Sequence, residues 1–229
     1  MKIKAVMFDL GNTLVRLCAP EVVFQRVLCS LGIDKSKEEI KKALNDTQRE
    51  SKNHYSSIYG IVPCKEYWND WDSRVLGYLR VFGHKNLSRE IHLRWFDNAG
   101  CQCYSDVRRT LSNLRERGLR TGLISTGYEE DIYTILKKAN IETEFFEVII
   151  GADTIREVKP HPTVFRYALK RLNVRPQEAL FIGDKIDEYE GAGKVGITSL
   201  LLVRTKNKTD KYKDIRVIST LREIFKQIV

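Results

Sequence analysis

Four polar residues of this chain are expected at strand ends, and their types suit phosphoryl transfer. Asp9 follows Ile3-Lys4-Ala5-Val6-Met7-Phe8 and precedes Leu10-Gly11-Asn12-Thr13. Ser125 closes Thr121-Gly122-Leu123-Ile124, with Thr126 and Gly127 behind it. Lys159 lies in Glu157-Val158-Lys159-Pro160-His161-Pro162, a rigid turn ahead of a helix, and Asp184 follows Ala179-Leu180-Phe181-Ile182-Gly183. A carboxylate such as Asp9 can attack phosphorus and carry the phosphoryl group covalently. Two anions repel, so a cation must neutralise them. Mg²⁺, a hard ion that takes oxygen ligands and keeps several waters, would be held by Asp9 and Asp184. The Ser125 hydroxyl, nearby backbone amides and the Lys159 ammonium would stabilise charge on the group in transit. Each residue also has a plainer use: Asp9 as a turn cap, Ser125 as a helix N-cap, Lys159 as a solvated lysine. Their order and shared placement at strand ends favour the joint role.

These groups meet only if their strands lie side by side and point the same way. Residues 1–15 and 100–229 alternate short strand-like runs (3–8, 121–125, 146–150, 179–183, 199–203) with helical stretches (105–117, 128–139, 162–173, 187–195). That alternation predicts an α/β fold with a parallel sheet covered on both faces, whose carboxyl ends converge on one crevice. Residues 16–99 differ. Helices are expected over Pro20–Leu31, from Ser36 to about His54, over Cys64–Phe82 and over Ser88–Phe96. Ser36 and Glu39 supply a capping box for the second of these. The chain thus reads as a catalytic core, 1–15 with 100–229, carrying a helical insertion, 16–99. Emerging beside Asp9, the insertion would hang over the sheet's carboxyl edge as a lid that excludes water and selects substrates. Arg16 lies near its hinge. Arg49, Lys52, Tyr55, Tyr67, Trp68 and Trp71 are candidates for substrate contact within it, although Trp68 and Trp71 at helical spacing read first as its core. His161 reads as fixing the turn that presents Lys159.

Composition removes other classes. With 229 residues the chain can bury a full core. No run approaches the roughly 20 apolar residues that span a bilayer, and a strand beginning just after Met1 leaves no room for a signal peptide. A cytoplasmic protein with no membrane partner is expected. Its five cysteines show no metal-site spacing and read as buried, reduced thiols. The net charge is +9, densest over Arg204-Thr-Lys-Asn-Lys-Thr-Asp-Lys-Tyr-Lys213. No aromatic-interleaved basic module appears, so nucleic acid is disfavoured as a partner. A basic chain also steers small anions such as phosphate esters toward itself. Monomer and homodimer both stay open.

The chain resembles the haloacid dehalogenase (HAD) superfamily over almost its whole length. Phe8-Asp9-Leu10-Gly11-Asn12-Thr13-Leu14 is similar to the family's first motif and Leu123-Ile124-Ser125 to its second. Val158-Lys159-Pro160-His161-Pro162 is similar to the third and Phe181-Ile182-Gly183-Asp184 to the fourth. The resemblance implies a Rossmann-like core with a helical cap inserted after the first motif. It also implies a Mg²⁺-dependent phosphatase of small phosphorylated metabolites with Asp9, Ser125 and Lys159 as catalytic residues. Thr126, Gly127 and Arg16 are the expected substrate contacts. Asp9, the Gly11 carbonyl, Asp184 and Glu188 are the expected metal ligands.

Two departures from the family pattern matter. Where most family phosphatases carry a second Asp, which protonates the leaving group and then activates water, this chain has Gly11. Such help is worth about 10²–10⁴-fold. A cap residue could supply the proton, the substrate could have a good leaving group such as an acyl phosphate, or the enzyme could be slow. After Asp184, the family's second acid comes four or five residues later; here Glu188 and Tyr189 hold those places, with Asp187 as a further candidate for the metal. A metal-free 2-haloacid dehalogenase with Asp9 as nucleophile is the alternative. Its family members usually carry an aromatic residue at Gly11 and Asn at Thr126, so the phosphatase is favoured. A mutase would need the missing acid. A non-enzymatic binding protein is the remaining reading.

Overall fold

Ala5–Phe8 forms β1, buried along its whole length as an unbroken apolar run should be. The computed structural model describes residues 2–83, 86–204, 212 and 215–228. By its contacts the chain divides into two units, Met1–Arg16 with Gln102–Val229 and, separately, Leu17–Cys101. In the first unit β2 (Val15–Arg16) and β3 (Gln102–Cys103) pair as a short antiparallel ribbon. The main sheet holds β1, β4 (Arg120–Ile124), β5 (Val148–Ile150), β6 (Ala179–Gly183), β7 (Thr198–Leu202) and β8 (Val217–Ile218). Its order is β5-β4-β1-β6-β7-β8, and every neighbouring pair is parallel. Phe8 of β1 lies level with Leu123 on one side and Ile182 on the other. The strand order therefore reverses at β1, and the crevice at that reversal is where sheets of this kind place ligands.

The second unit is helical: α1 (Pro20–Ser30), α2 (Lys37–Glu50), α3 (Lys52–Ile58), α4 (Cys64–Tyr78) and α5 (Leu87–Asn98). Pro20 starts α1, where its missing N–H is no loss. Ser36 and Glu39 form the expected capping box on α2. The single helix expected from Ser36 to about His54 is instead two. Ser51 leaves helical geometry at φ −110°, ψ 12°, ending α2 and opening α3; serine tolerates this because its hydroxyl competes for backbone partners. Phe24, Val27, Leu28, Ile40, Val75 and Ile91 form the unit's core, with Trp71 and Trp95 packed against it. Tyr55 and Tyr67 are buried, and edge-to-face contacts join Tyr55 to Tyr67 and Trp71, and Tyr67 to Trp68.

In the first unit α6 (Val107–Glu116), α7 (Glu129–Lys138), the short α8 (Ala152–Ile155), α9 (Pro162–Arg171) and α10 (Ile186–Gly193) follow the strands. Ala5 and Met7 of β1 and Phe181 of β6 pack with Phe165 of α9 and Ala192 of α10. Strand alternation sends Val6 and Phe8 to the other face, where they are equally buried. Strands β2, β3 and β8, two residues each, show no periodicity in the sequence. None of the five cysteines forms a disulfide, but only Cys64 is buried: Cys18, Cys101 and Cys103 are half-buried and Cys29 is exposed. A small apolar group gains from burial, yet loop and helix-edge positions cannot supply it. No helix among the described residues is long and apolar enough to cross a membrane. Most of the basic run after Arg204 lies outside the described residues.

Candidate active site

Asp9 extends β1 by one residue, its N–H donating to Ile182 O at 2.9 Å. The loop then doubles back. Leu14 and Val15 donate to Leu10 O at 2.9 and 3.0 Å, and Asn12, at φ 58°, donates its N–H to Val15 O at 2.8 Å. Asparagine is among the few residues that enter the left-handed region cheaply. The turn brings the fully buried Thr13 back onto the nucleophile candidate, its hydroxyl donating to Asp9 Oδ2 at 2.9 Å. Asn12 Nδ2 donates to Asp184 Oδ2 at 3.2 Å. The sequence pattern assigns Asn12 and Thr13 no role; two polar residues in a tight turn after a buried aspartate are the signal that points to them.

Lys159 is fully buried at its side chain and donates to Asp9 Oδ1 and, at 2.9 Å, to Glu188 Oε2. A cis peptide bond joins it to Pro160. His161 caps α9, its ring accepting from the Thr163 N–H at 3.4 Å. Helix α10 seats against this turn at Gly191, where a Cβ would stand 2.5 Å from Pro160 O. Gly183 leaves room for the Glu188 carboxylate to fold back, since a Cβ there would lie 3.2 Å from Glu188 Oε2. The other oxygen, Oε1, is 3.6 Å from Lys185 Nζ. Both Glu188 oxygens thus face ammonium groups, and Asp187 Oδ1 accepts the Glu188 N–H at 2.8 Å.

The cluster carries more negative than positive charge. Burial opposes the Lys159 ammonium, but the Asp9 and Glu188 charges outweigh it and hold its pKa above the ordinary lysine value. Burial first, then the Asp9 charge, raise the Asp184 carboxyl. Burial also raises Glu188 against the pull of Lys159. Asp184 Oδ1 is buried with no hydrogen-bond partner. An orphan carboxylate oxygen near a second carboxylate is a donor set suited to a hard cation. No group of three His, Cys, Asp or Glu side chains among the described residues could hold a metal by itself. Mg²⁺, which needs few protein ligands and keeps its waters, fits two carboxylates and a carbonyl better than an ion wanting a closed cage.

The remaining expected residues occupy the same edge or its margin. Ser125, one residue past β4, donates its N–H to Ile150 O at 2.9 Å and accepts the Gly127 N–H on Oγ at 3.1 Å. That bond curls Ser125, Thr126 and Gly127 into a tight turn at the carboxyl end of the strand beside β1. At Gly11 a Cβ would meet nothing within 4 Å, and its φ is not in the positive range. Glycine is therefore not required there by packing or backbone. Arg16 is exposed on β2, its guanidinium 5.7 Å from the Tyr104 ring centre. Among the insertion residues, Arg49 bonds Asp46 Oδ1 at 2.9 Å.

A family model described as haloacid dehalogenase-like hydrolase matches residues 6–202. The chain is 26% identical over 211 residues to a glyceraldehyde 3-phosphate phosphatase of Methanopyrus kandleri, covering 89% of this chain and 85% of that protein. It is 32% identical over 204 residues to the pyrophosphatase PpaX of Bacillus thuringiensis, covering 86% and 81%. Among solved structures, the putative HAD-hydrolase YfnB from Bacillus subtilis, bound to magnesium, superposes with a TM-score of 0.72 at 17% identity, covering 100% and 99%.

Proposed function

The chain belongs to the haloacid dehalogenase-like hydrolases, and on that premise we propose a Mg²⁺-dependent phosphatase of small phosphorylated metabolites working through an aspartyl-phosphate on Asp9. The observation that carries this reading is the Asp9 carboxylate, buried, bonded at Oδ1 by Lys159 and at Oδ2 by Thr13, and close enough to Asp184 to raise its pKa. Fixing both oxygens removes the rotational freedom that would otherwise oppose attack on phosphorus.

In this reading an Asp9 oxygen bonds to phosphorus as the ester P–O bond breaks, and water then cleaves the acyl phosphate to release inorganic phosphate. The Lys159 ammonium neutralises charge on Asp9 and the incoming phosphoryl oxygens. Ser125 and the turn through Thr126 and Gly127 offer a hydroxyl and amides to the same oxygens, and Arg16 is the outlying candidate for substrate contact. Asp9, Asp184 and the Gly11 carbonyl would hold Mg²⁺, which when bound offsets the repulsion between carboxylate and phosphate. Glu188 holds Lys159 in place; as a metal ligand through water it would compete with two ammonium groups. Gly11 brings no acid, so phosphate esters and anhydrides with good leaving groups suit the site best. The phosphatase and pyrophosphatase relatives support phosphate as the group transferred. A dehalogenase would leave the Asp184 pair without a use.

The test is phosphate release from a panel of aryl, acyl, pyrophosphate and sugar phosphate substrates with Mg²⁺. Turnover should vanish with chelator and return with Mg²⁺, and Asp9→Asn should abolish it while the chain stays folded by circular dichroism, Lys159 keeping its Glu188 partner. Chelator-insensitive chloride release from 2-haloacids would select the dehalogenase instead. Background release across the panel would favour a binding protein.

A further inference from the structure

Arg204, at the head of the basic run, reaches Asp9 through a single intermediate residue. Its Nη2 donates to Thr13 O at 2.6 Å, its Nη1 to Asp106 Oδ2 at 3.1 Å, and its guanidinium carbon lies 3.7 Å from the Tyr104 ring centre. Asp106 is buried and also accepts the Leu221 N–H at 2.8 Å, which ties this anchor to the core. Tyr104 in turn donates its N–H to Leu14 O at 3.1 Å. The loop from Leu10 to Val15 is therefore gripped at two successive carbonyls, Thr13 and Leu14. The hydroxyl of the gripped Thr13 is the one that donates to Asp9 Oδ2.

We propose that Arg204 is a positioning residue for the reaction at Asp9: it clamps the Thr13 carbonyl, so that the Thr13 hydroxyl holds the Asp9 carboxylate in its attacking orientation. Arginine suits the task because one planar group donates in two directions while its face lies on an aromatic ring; a lysine ammonium cannot do all three. The alternative role is a strap that only fastens the segment after β7 to α6. This role rests on Asp9 as the phosphoryl acceptor, so the experiment includes an arm that does not depend on turnover.

Kinetics with p-nitrophenyl phosphate and Mg²⁺ should be measured for Arg204→Met, Arg204→Lys, Thr13→Val and the Arg204→Met/Thr13→Val double variant, with melting temperatures. A misplaced nucleophile costs up to about 10²-fold, so kcat should fall roughly 10- to 100-fold in Arg204→Met with KM nearly unchanged. Arg204→Lys should recover only part of the loss. The double variant should lose no more than the worse single one, because both cut the same path. Wild-type kcat in Arg204→Met, multiplicative losses in the double variant, or a loss that follows only the melting temperature would each overturn the proposal. If Arg204→Met does not fold, Arg204→Lys paired with Thr13→Val gives the same comparison. Crystal structures of the wild type and an Arg204 variant form the second arm. Loss of the Thr13–Asp9 hydrogen bond in the variant supports the role, and its retention overturns it, even if Asp9→Asn proves active and the nucleophile assignment fails.

Discussion

Lys159 and Asp9, 150 residues apart in the chain, form a buried ion pair at the reversal point of the sheet, and Glu188 shares the same ammonium. Breaking a buried pair by removing one member leaves an uncompensated charge and typically costs about 3–5 kcal/mol. Lys159→Met leaves two carboxylates facing each other, so a loss of that order is expected at pH 7.5 by urea unfolding. The loss should shrink as pH falls and Glu188, whose carboxyl burial already raises, takes up a proton. Phosphate release should fall by at least about 10²-fold, as when one preorganised donor is removed from a reacting anion.

Gly11 is a position with room and an undemanding backbone. Gly11→Asp should therefore fold and place a carboxyl group two residues past the nucleophile. With a series of aryl and alkyl phosphates, the wild-type rate should drop steeply as the leaving group becomes more basic. The variant should flatten that dependence and gain most on alkyl esters, up to the roughly 10²–10⁴-fold that a positioned acid supplies. Parallel dependences in the two proteins would mean that the proton already has a source.

Gly191 lets α10 lie against the turn that presents Lys159. A Cβ there would sit 2.5 Å from Pro160 O and 2.9 Å from Pro160 Cβ, and backbone cannot step aside as a flexible side chain does. Overpacking of this kind costs about 1–3 kcal/mol. Gly191→Ala should lower the melting temperature and also reduce kcat, because the helix it displaces carries Glu188. Gly193 in the same helix has nothing within 4 Å of a Cβ, so Gly193→Ala is the control that should leave both unchanged.

Asp72 in α4 is 4% exposed, and burial alone pushes its carboxyl well above the ordinary aspartate value. A raised folded-state pKa means that the folded chain holds the proton longer than the unfolded chain. Its stabilising effect is full below the unfolded pKa and is lost as pH rises through the folded pKa. Asp72→Asn should thus be more stable than the wild type at pH 8, because the amide has no charge to bury. The gain should fade toward pH 4. Urea titrations at the two pH values measure it directly.

The placement of Asp9, Ser125 and Asp184 at the sheet's edge was legible from local pattern, whereas Lys159, expected at a fourth strand end, lies in the turn between α8 and α9. A strand buried on both faces must be apolar throughout, so the first polar residue after it marks the carboxyl end. The same reasoning located the helical insertion and the Ser36 capping box, where the deciding contacts lie within a few residues. It missed the break at Ser51 because nothing in composition distinguishes one long polar helix from two.

What the sequence could not reveal was which oxygen meets which partner. Glu188 stands at a spacing compatible with a metal, yet its carboxylate turns to Lys159 and Lys185, because Gly183 leaves space for it to fold back. Thr13 finds Asp9 only once Asn12 takes a left-handed turn, and Arg204 finds Thr13 across 191 residues. Apolar periodicity and turn chemistry act over a few residues and determine where strands end. Hydrogen bonds between those ends depend on how distant loops fold against one another, and only the tertiary structure decides that.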